Sequence, residues 1–155
     1  MPLEKKYELV EITDGNIGAL FSLAGEATRN GYYFLQRTID DWRSGANRFN
    51  KPGEMLWGLF AEKELIGIGG LNIDPYSRTQ GVGRVRHLYI KERYRRAGYA
   101  TLLIKKIMEQ AAQHFIVLRL FTDSVGASAF YEKLGFTPTG EYKASHFIKL
   151  PGKGR

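Results

Sequence analysis

Apolar and polar positions follow different rhythms in different parts of the chain. Residues 7–12 (YELVEI) read as a short strand. Over 15–29 and 33–43 the spacing becomes helical, with Ile17, Leu20, Phe21 and Ala24 on one stripe and Leu35, Ile39 and Trp42 on the next. Asn30-Gly31 separates the two, and 47–53 has loop composition. A strand-rich block follows over 55–61, 64–73 and 84–91. Glu62-Lys63 leaves room only for a tight hairpin, although it is not the favoured Asn-Gly type. Residues 74–81 (DPYSRTQG) are turn chemistry, and Gly81-Val82-Gly83 reads as more of the same.

Past Gly98 the period changes. Ala100, Leu103, Ile104, Ile107, Met108 and Ala111 repeat on one helical face, with Lys105, Lys106, Glu109, Gln110 and Gln113 opposite. Residues 115–121 (FIVLRLF) are almost continuously apolar, which predicts a strand covered on both faces. Ala127, Phe130, Tyr131 and Leu134 make another helical stripe, closed by Gly135. Residues 136–142 and 144–150 predict a closing strand pair. The order β-α-α-β-β-β-α-β-α-β-β is that of a mixed α/β (α+β) layer, helices on a central sheet.

Composition narrows the class. At 155 residues and with no repeat or linker, residues 1–155 read as a single domain with a sizeable core. There is no cysteine, which excludes disulfides, thiolate metal sites and a cysteine nucleophile. No run approaches the ~20 apolar residues of a membrane span, and MPLEKKYELV lacks the apolar core of a signal peptide. The expectation is a soluble cytoplasmic domain with no membrane partner. Lys and Arg number 23 against 16 Asp and Glu, a net charge of +7, which suits an anionic partner. Arg84, Arg86, Lys91, Arg93, Arg95 and Arg96 fall in one segment, with Lys105 and Lys106 close behind.

That segment carries the chemistry. A strand ends near Ile90, a basic turn follows, and Gly98-Tyr99-Ala100 opens an amphipathic helix. The first turn of a helix has unpaired N–H groups and a partial positive charge, and a glycine there lets a phosphate approach the main chain. Arg95 and Arg96 would add charge-assisted contacts. The alternative from composition alone is a tight turn beside solvated arginines. No G-x-x-x-x-G-K-[ST] occurs, and no G-x-G-x-x-G follows a strand. Three scattered histidines without H-x-x-x-H spacing predict no metal site.

Arg95-Arg96-Ala97-Gly98-Tyr99-Ala100 resembles the [Q/R]-x-x-G-x-[G/A] signature of the GNAT (Gcn5-related) N-acetyltransferases, and it follows a strand ending Leu88-Tyr89-Ile90. Downstream, the run from Ser124 through Ala127, Phe130, Tyr131, Lys133 and Gly135 to Phe136 resembles the family's second block, N-x-x-A-x-x-F-Y-x-K-x-G-F. The resemblance covers about residues 5–150. It implies a mixed, mostly antiparallel sheet flanked by helices, and direct acetyl transfer from acetyl-CoA to a primary amine. It further implies that the backbone of Leu88, Tyr89 and Ile90 pairs with the pantetheine arm. The pyrophosphate would rest on main-chain N–H groups from Arg96 through Ala97, Gly98, Tyr99, Ala100 and Thr101, with Arg95 beside them. Ser124 stands at the pantetheine-side position where the family usually has asparagine, and the resemblance implies a cofactor contact there from its shorter hydroxyl.

Direct transfer needs a general acid for the departing thiolate and a base for the amine. By position Tyr131 matches the family's tyrosine acid; a buried aromatic on the helix stripe is the plainer reading. The strands beside the signature carry Arg84, Arg86, His87 and Arg119 but no carboxylate at their centres, so His87 is the local candidate base, with His146 behind it and a water chain as the alternative. His114 looks like a helix cap. For the acceptor, a small-molecule or peptide amine, the resemblance points to the first two helices, where Tyr32, Tyr33, Phe34, Trp42 and Phe49 gather, with Asp40 and Asp41 nearby. A homodimer is common for small enzymes. Two further readings stand beside the enzyme: an acyl-CoA sensor on the same scaffold, and a basic nucleic-acid-binding domain, which would need an exposed arginine stripe with stacking aromatics.

Overall fold

The computed structural model describes residues 6–151. The first five residues, part of the segment read above as lacking a signal peptide, and the last four lie outside them. Strands β1 (Tyr7–Glu11), β2 (Met55–Ala61), β3 (Glu64–Ile73), β4 (Val82–Ile90), β5 (Val117–Leu120), β6 (Thr137–Pro138) and β7 (His146–Lys149) form one sheet. Its order is β1-β2-β3-β4-β5-β7-β6, and every neighbouring pair is antiparallel except β4 and β5. Helices α1 (Leu20–Arg29), α2 (Phe34–Ser44), α3 (Tyr99–Ala112) and α4 (Val125–Lys133) complete the expected order of elements.

Alternation along the strands divides the core. Leu56, Leu65 and Ile68 pack with Leu23, Leu35, Ile39 and Trp42 of α1 and α2. Leu59, Ile66 and Leu71 turn the other way, toward Leu103, Ile104 and Ile107 of α3. Strand β3 is bare at three positions. A Cβ on Gly67 would lie 2.7 Å from Ile90 Cδ1 and 3.1 Å from Leu103 Cδ1, and one on Gly69 would lie 2.9 Å from Ile107 Cδ1. Helix α3 therefore rests almost directly on main chain.

Several boundaries moved for identifiable reasons. The first helix starts at Leu20 rather than 15, because Asn16 folds the preceding turn: its Oδ1 accepts the Thr13 N–H (2.7 Å) and its Nδ2 donates to Glu11 O (3.1 Å). Val82 and Gly83 open β4 instead of belonging to the turn, since they pair with Val117 and Leu118 of β5. The closing pair is much shorter than 136–142 with 144–150. Pro138 has no N–H to extend the ladder, and the chain from Thr139 to Ser145 turns away as a loop.

That loop is held by a buried ionic group. Asp74, with its side chain fully buried, lies 3.5 Å from Arg84 Nη1 and 3.1 Å from Arg119 Nε. Arg84 Nη2 donates to Lys143 O (2.6 Å), and Arg119 Nη2 donates to Tyr142 O. Burial lowers the pKa of Arg84, and Asp74 opposes that shift. Two guanidiniums thus share one carboxylate, and each donates to one loop carbonyl.

Candidate active site

The site begins with two departures from regular pairing. On β4, Arg86 pairs with Gly70 and Tyr89 with Ile68, so three residue steps on β4 face two on β3. The extra residue is a β-bulge, and His87 within it has φ 60°. Strands β4 and β5 then pair only over Val82–Val117, Gly83–Leu118 and Arg84–Arg119. Beyond Arg84 the two parallel strands separate, and β4 continues to Ile90 with no β5 partner.

Two clefts occupy the separation. The first, of about 460 Å³, is lined by Leu88, Tyr89, Ile90, Tyr94, Arg95, Arg96, Gly98, Tyr99, Ala100 and Thr101, with Ala127, Phe130 and Tyr131 from α4. The second, of about 380 Å³, is lined by Tyr32, Phe34, Val85, His87, Leu120, Phe121, Thr122, Asp123 and Ser124, together with Leu88, Ala127 and Tyr131. Only those last three line both. Tyr131 therefore stands at the partition between the clefts.

The first cleft ends on a loop organised for an anion. Arg96 (φ 63°) and Gly98 (φ 90°) both adopt the left-handed region, which turns successive N–H groups toward one side. Gly98 is the N-cap of α3 and offers its first turn no side-chain acceptor. The first α3 amide to reach a carbonyl is that of Leu102, on Gly98 O (3.2 Å). Among the described residues, no acceptor takes the N–H groups of residues 96–101. A Cβ on Gly98 would meet nothing within 4 Å, so the space above those amides is open. A diphosphate fits this cradle on its chemistry.

The surroundings keep the loop in place. Glu26 of α1 accepts the Tyr89 hydroxyl (2.5 Å) and the Glu92 N–H (3.0 Å). Burial, with this carboxylate second, pushes the Tyr89 pKa up to about 12. Arg95 donates from Nε to Ile90 O (2.8 Å), and its guanidinium carbon lies 5.0 Å from the centre of the Tyr89 ring. Lys91 and Arg93 both bind Glu64. The arginines and lysines adjacent in sequence are thus divided in space. Arg84 is buried with Asp74, Lys91 and Arg93 are paired, Lys106 lies by Glu109 and Trp57, and only Arg95 and Arg96 face the first cleft.

Tyr131 is 7% exposed and packs edge-on against Phe130 and Phe136, with ring centroids 5.1 and 5.5 Å away. Its hydroxyl has no hydrogen-bond partner among the described residues, and burial raises its pKa well above the ordinary phenol value. His87 stacks on Phe34 at 6.0 Å and meets Phe49 edge-on at 6.2 Å. Burial, reinforced by Arg86 and Arg37, pushes its pKa down to about 3, so the imidazole is neutral at physiological pH.

The remaining expected residues sort clearly. Ala97 lines neither cleft and packs toward the core under α3. Ser124 lines the second cleft and not the first; its Oγ caps α4 by accepting the Ala127 N–H at 3.2 Å. His146 is buried away from both clefts. Its Nε2 lies 2.9 Å from Glu132 Oε2 and its Nδ1 2.9 Å from Ser145 Oγ, and that Oγ accepts the Thr122 N–H (2.9 Å). His146 thus braces α4 and the 122–124 turn. His114 follows α3 at the surface. Asp40 and Asp41 do not line the second cleft, and Trp42 and Phe49 belong to the core. Sequence reasoning placed Phe130 only on a helical stripe and in the second block, and missed Glu26, Phe121 and Asp123. The last is a carboxylate immediately before Ser124, and it is the acidic residue among the second cleft's lining.

Comparison with known proteins gives this geometry a family. The sequence pattern of the acetyltransferase (GNAT) family matches residues 19–136. The chain belongs to that family. A spermine/spermidine N(1)-acetyltransferase of Bacillus subtilis is 26% identical over 140 residues, 84% of this chain and 87% of its own length. Human N-acetyltransferase 8 is 26% identical over 96 residues, and the match spans only 42% of that protein. Among solved structures, a protein of Exiguobacterium sp. 255-15 superposes with a TM-score of 0.79 at 22% identity, covering 93% of each chain. The Escherichia coli ribosomal-protein-S18-alanine N-acetyltransferase gives 0.69 at 13% identity over 97% of each. These structural likenesses establish the GNAT fold. Among the described residues no helix is long and apolar enough to cross a membrane, and no group of three or more His, Cys, Asp or Glu is placed to hold a metal ion.

Proposed function

We propose that the chain transfers an acetyl group directly from acetyl-CoA to a primary amine. The observation that carries this reading is the separation of β4 from β5, with one cleft on each side of Tyr131. The first cleft takes the cofactor. Its diphosphate lies on the N–H groups of Arg96 through Thr101, with Arg95 and Arg96 adding charge at the rim. The pantetheine arm runs along the free backbone edge of Leu88, Tyr89 and Ile90, adding to β4 like another strand. The thioester reaches the partition, where an N–H of the bulged strand polarises its carbonyl. Ser124 acts at one remove, by fixing the first turn of α4.

The amine enters by the second cleft. Entering as the cation, it first releases one proton to solvent; its neutral nitrogen then attacks the thioester carbon, and a tetrahedral intermediate forms that still carries the second amine proton. The C–S bond then breaks, and the thiolate takes the Tyr131 proton. The second amine proton passes through His87 or water and restores the phenol. Burial keeps the Tyr131 hydroxyl protonated at neutral pH, ready to donate. His87 enters the cycle neutral, and its packing between Phe34 and Phe49 allows it to carry the proton only transiently. Asp123 and the aromatic walls of Tyr32, Phe34 and Phe121 suit a cationic amine. The Bacillus relative's name makes polyamines the first acceptors to try.

The test is Tyr131→Phe, assayed with acetyl-CoA and an amine panel by release of free thiol. Loss of turnover of about 10²-fold or more with CoA affinity retained supports the reading. Undiminished turnover in the variant refutes the acid. Tight CoA binding by the wild type with no turnover on any amine favours the acyl-CoA sensor instead.

A further inference from the structure

A third cavity, of about 270 Å³, lies beyond His87 on the α2 side of the sheet, between the loop after α2 and the end of β3. It shares no lining residue with either cleft. Arg86 forms part of its wall. The bulge places Arg86 beside His87, and its partner across the ladder is Gly70, which has no side chain to cover it.

Arg86 is half-buried, and its guanidinium has no hydrogen bond or ion pair among the described residues. Every nearby carboxylate is engaged or out of range. Glu54, in the same wall, accepts the N–H groups of Lys51 (3.1 Å) and Ile73 (2.9 Å). Asp74 is taken by Arg84, Arg119 and the Tyr76 N–H (2.8 Å). Asp41 lines the cavity but forms no ion pair with Arg86. Arg86 disfavours the charged forms of both Arg84 and His87, and the cavity wall also carries Arg48 and Lys51 beside Asp41 and Glu54. Beneath it, Asn72 is buried and committed to Asn47 through two amide hydrogen bonds of 2.9 and 3.0 Å.

A half-buried guanidinium facing a polar cavity with its donors unused is arranged for an anion from outside. We propose that this cavity binds a small monocarboxylate, held by the planar fork of Arg86. Lys51, also in the lining, adds attraction, and Asp41 in the same lining disfavours a second negative charge while accepting a hydroxyl or ammonium group. A small hydroxy acid or amino acid meets both conditions. The site does not depend on whether the chain transfers acyl groups.

The test is an NMR titration of the full chain with lactate at constant ionic strength, following the backbone amides of Ala46, Asn47 and Asn72 in the cavity wall, which the variants retain. A saturable shift with Kd on the order of 1 mM is expected, the strength of one bidentate charge-assisted contact. Arg86→Met should abolish it, and Arg86→Lys, which keeps the charge but not the fork, should weaken it about tenfold. Inorganic phosphate should bind more weakly than lactate to the wild type. A shift that never saturates, or one equal in wild type and Arg86→Met, overturns the proposal. So does tighter binding of phosphate, which would mark a general cationic patch. Amide spectra of both variants report whether the fold is intact.

Discussion

Gly98 gives the sharpest test of the anion loop, because its two contributions separate. Replacing it with alanine adds one methyl group at φ 90°, and that methyl meets no atom within 4 Å in the free protein. The loss of stability therefore comes only from backbone conformation. Holding an L-residue in the left-handed region costs roughly 1–2 kcal/mol, and the stiffer unfolded chain returns about 0.4–1 kcal/mol. The net is about 1 kcal/mol, a fall in Tm of roughly 2–4 °C for a chain of this size. The effect on ligand is larger. The methyl fills the open space in front of amides 96–101, where a diphosphate would rest, and losing one charge-assisted contact there costs about 1.5–3 kcal/mol. CoA should thus bind roughly 10- to 100-fold more weakly to Gly98→Ala. A thermal scan and calorimetric titration with CoA on the same samples separate the terms. An unchanged Kd for CoA would place the diphosphate elsewhere, and a stability loss above about 4 kcal/mol would reveal a packing role the structure does not show.

Three other perturbations test different parts of the structure. Asp74→Asn leaves Arg84 and Arg119 buried without their shared counter-charge, and should cost about 3–5 kcal/mol by denaturant unfolding; a loss under about 1 kcal/mol would mean that the carbonyls of Tyr142 and Lys143 suffice. Glu26→Ala removes the acceptor of both Tyr89 and Glu92, so it should weaken CoA binding severalfold and lower the Tyr89 pKa from about 12, as read by tyrosine NMR; a Tyr89 titration identical to wild type would count against that bond. His87 is held neutral down to about pH 3, whereas an unfolded histidine takes up its proton near 6.5. Below pH 6.5 the unfolded state binds the extra proton, so stability falls as pH drops from 6.5 toward 3. His87→Gln should flatten that part of the stability profile, and a His87 imidazole signal, assigned by its loss in the variant, titrating near 6.5 in the folded protein would contradict it.

What the sequence revealed followed its periodicity. β2 and β3 begin and end where alternation places them, because both lie mid-sheet and every side chain must choose a face. The turn from Arg95 to Ala100 was equally legible as a turn, since the glycine announces the left-handed residue that opens α3. The bulge at His87 was not. A single extra residue leaves the apolar pattern of β4 intact, and only the register with β3 exposes it. The strand expected over 115–121 was shortened for a related reason: Phe121 lies past the point where β5 loses β4 as a partner, and it is exposed at the second cleft. Glu26 and Asp123 gave no signal either. Glu26 is 63 residues from the tyrosine it holds, and Asp123 looks like any acidic residue before a helix cap.

The bare stretch of β3 sets a dimension for the whole domain. With hydrogen in place of carbon at Gly67 and Gly69, the third helix settles closer to the sheet than an alanine-bearing strand would permit, and its first turn lines one cleft with the free rim of the neighbouring strand. One methyl at either position would act as a shim beneath a lever, raising the helix at its middle and tipping the phosphate end out of line with the rim. The two halves of a long ligand would then be gripped out of step. Damage of that kind would surface both as weaker grip on such a ligand and as roughly 1–3 kcal/mol of lost stability from overpacking.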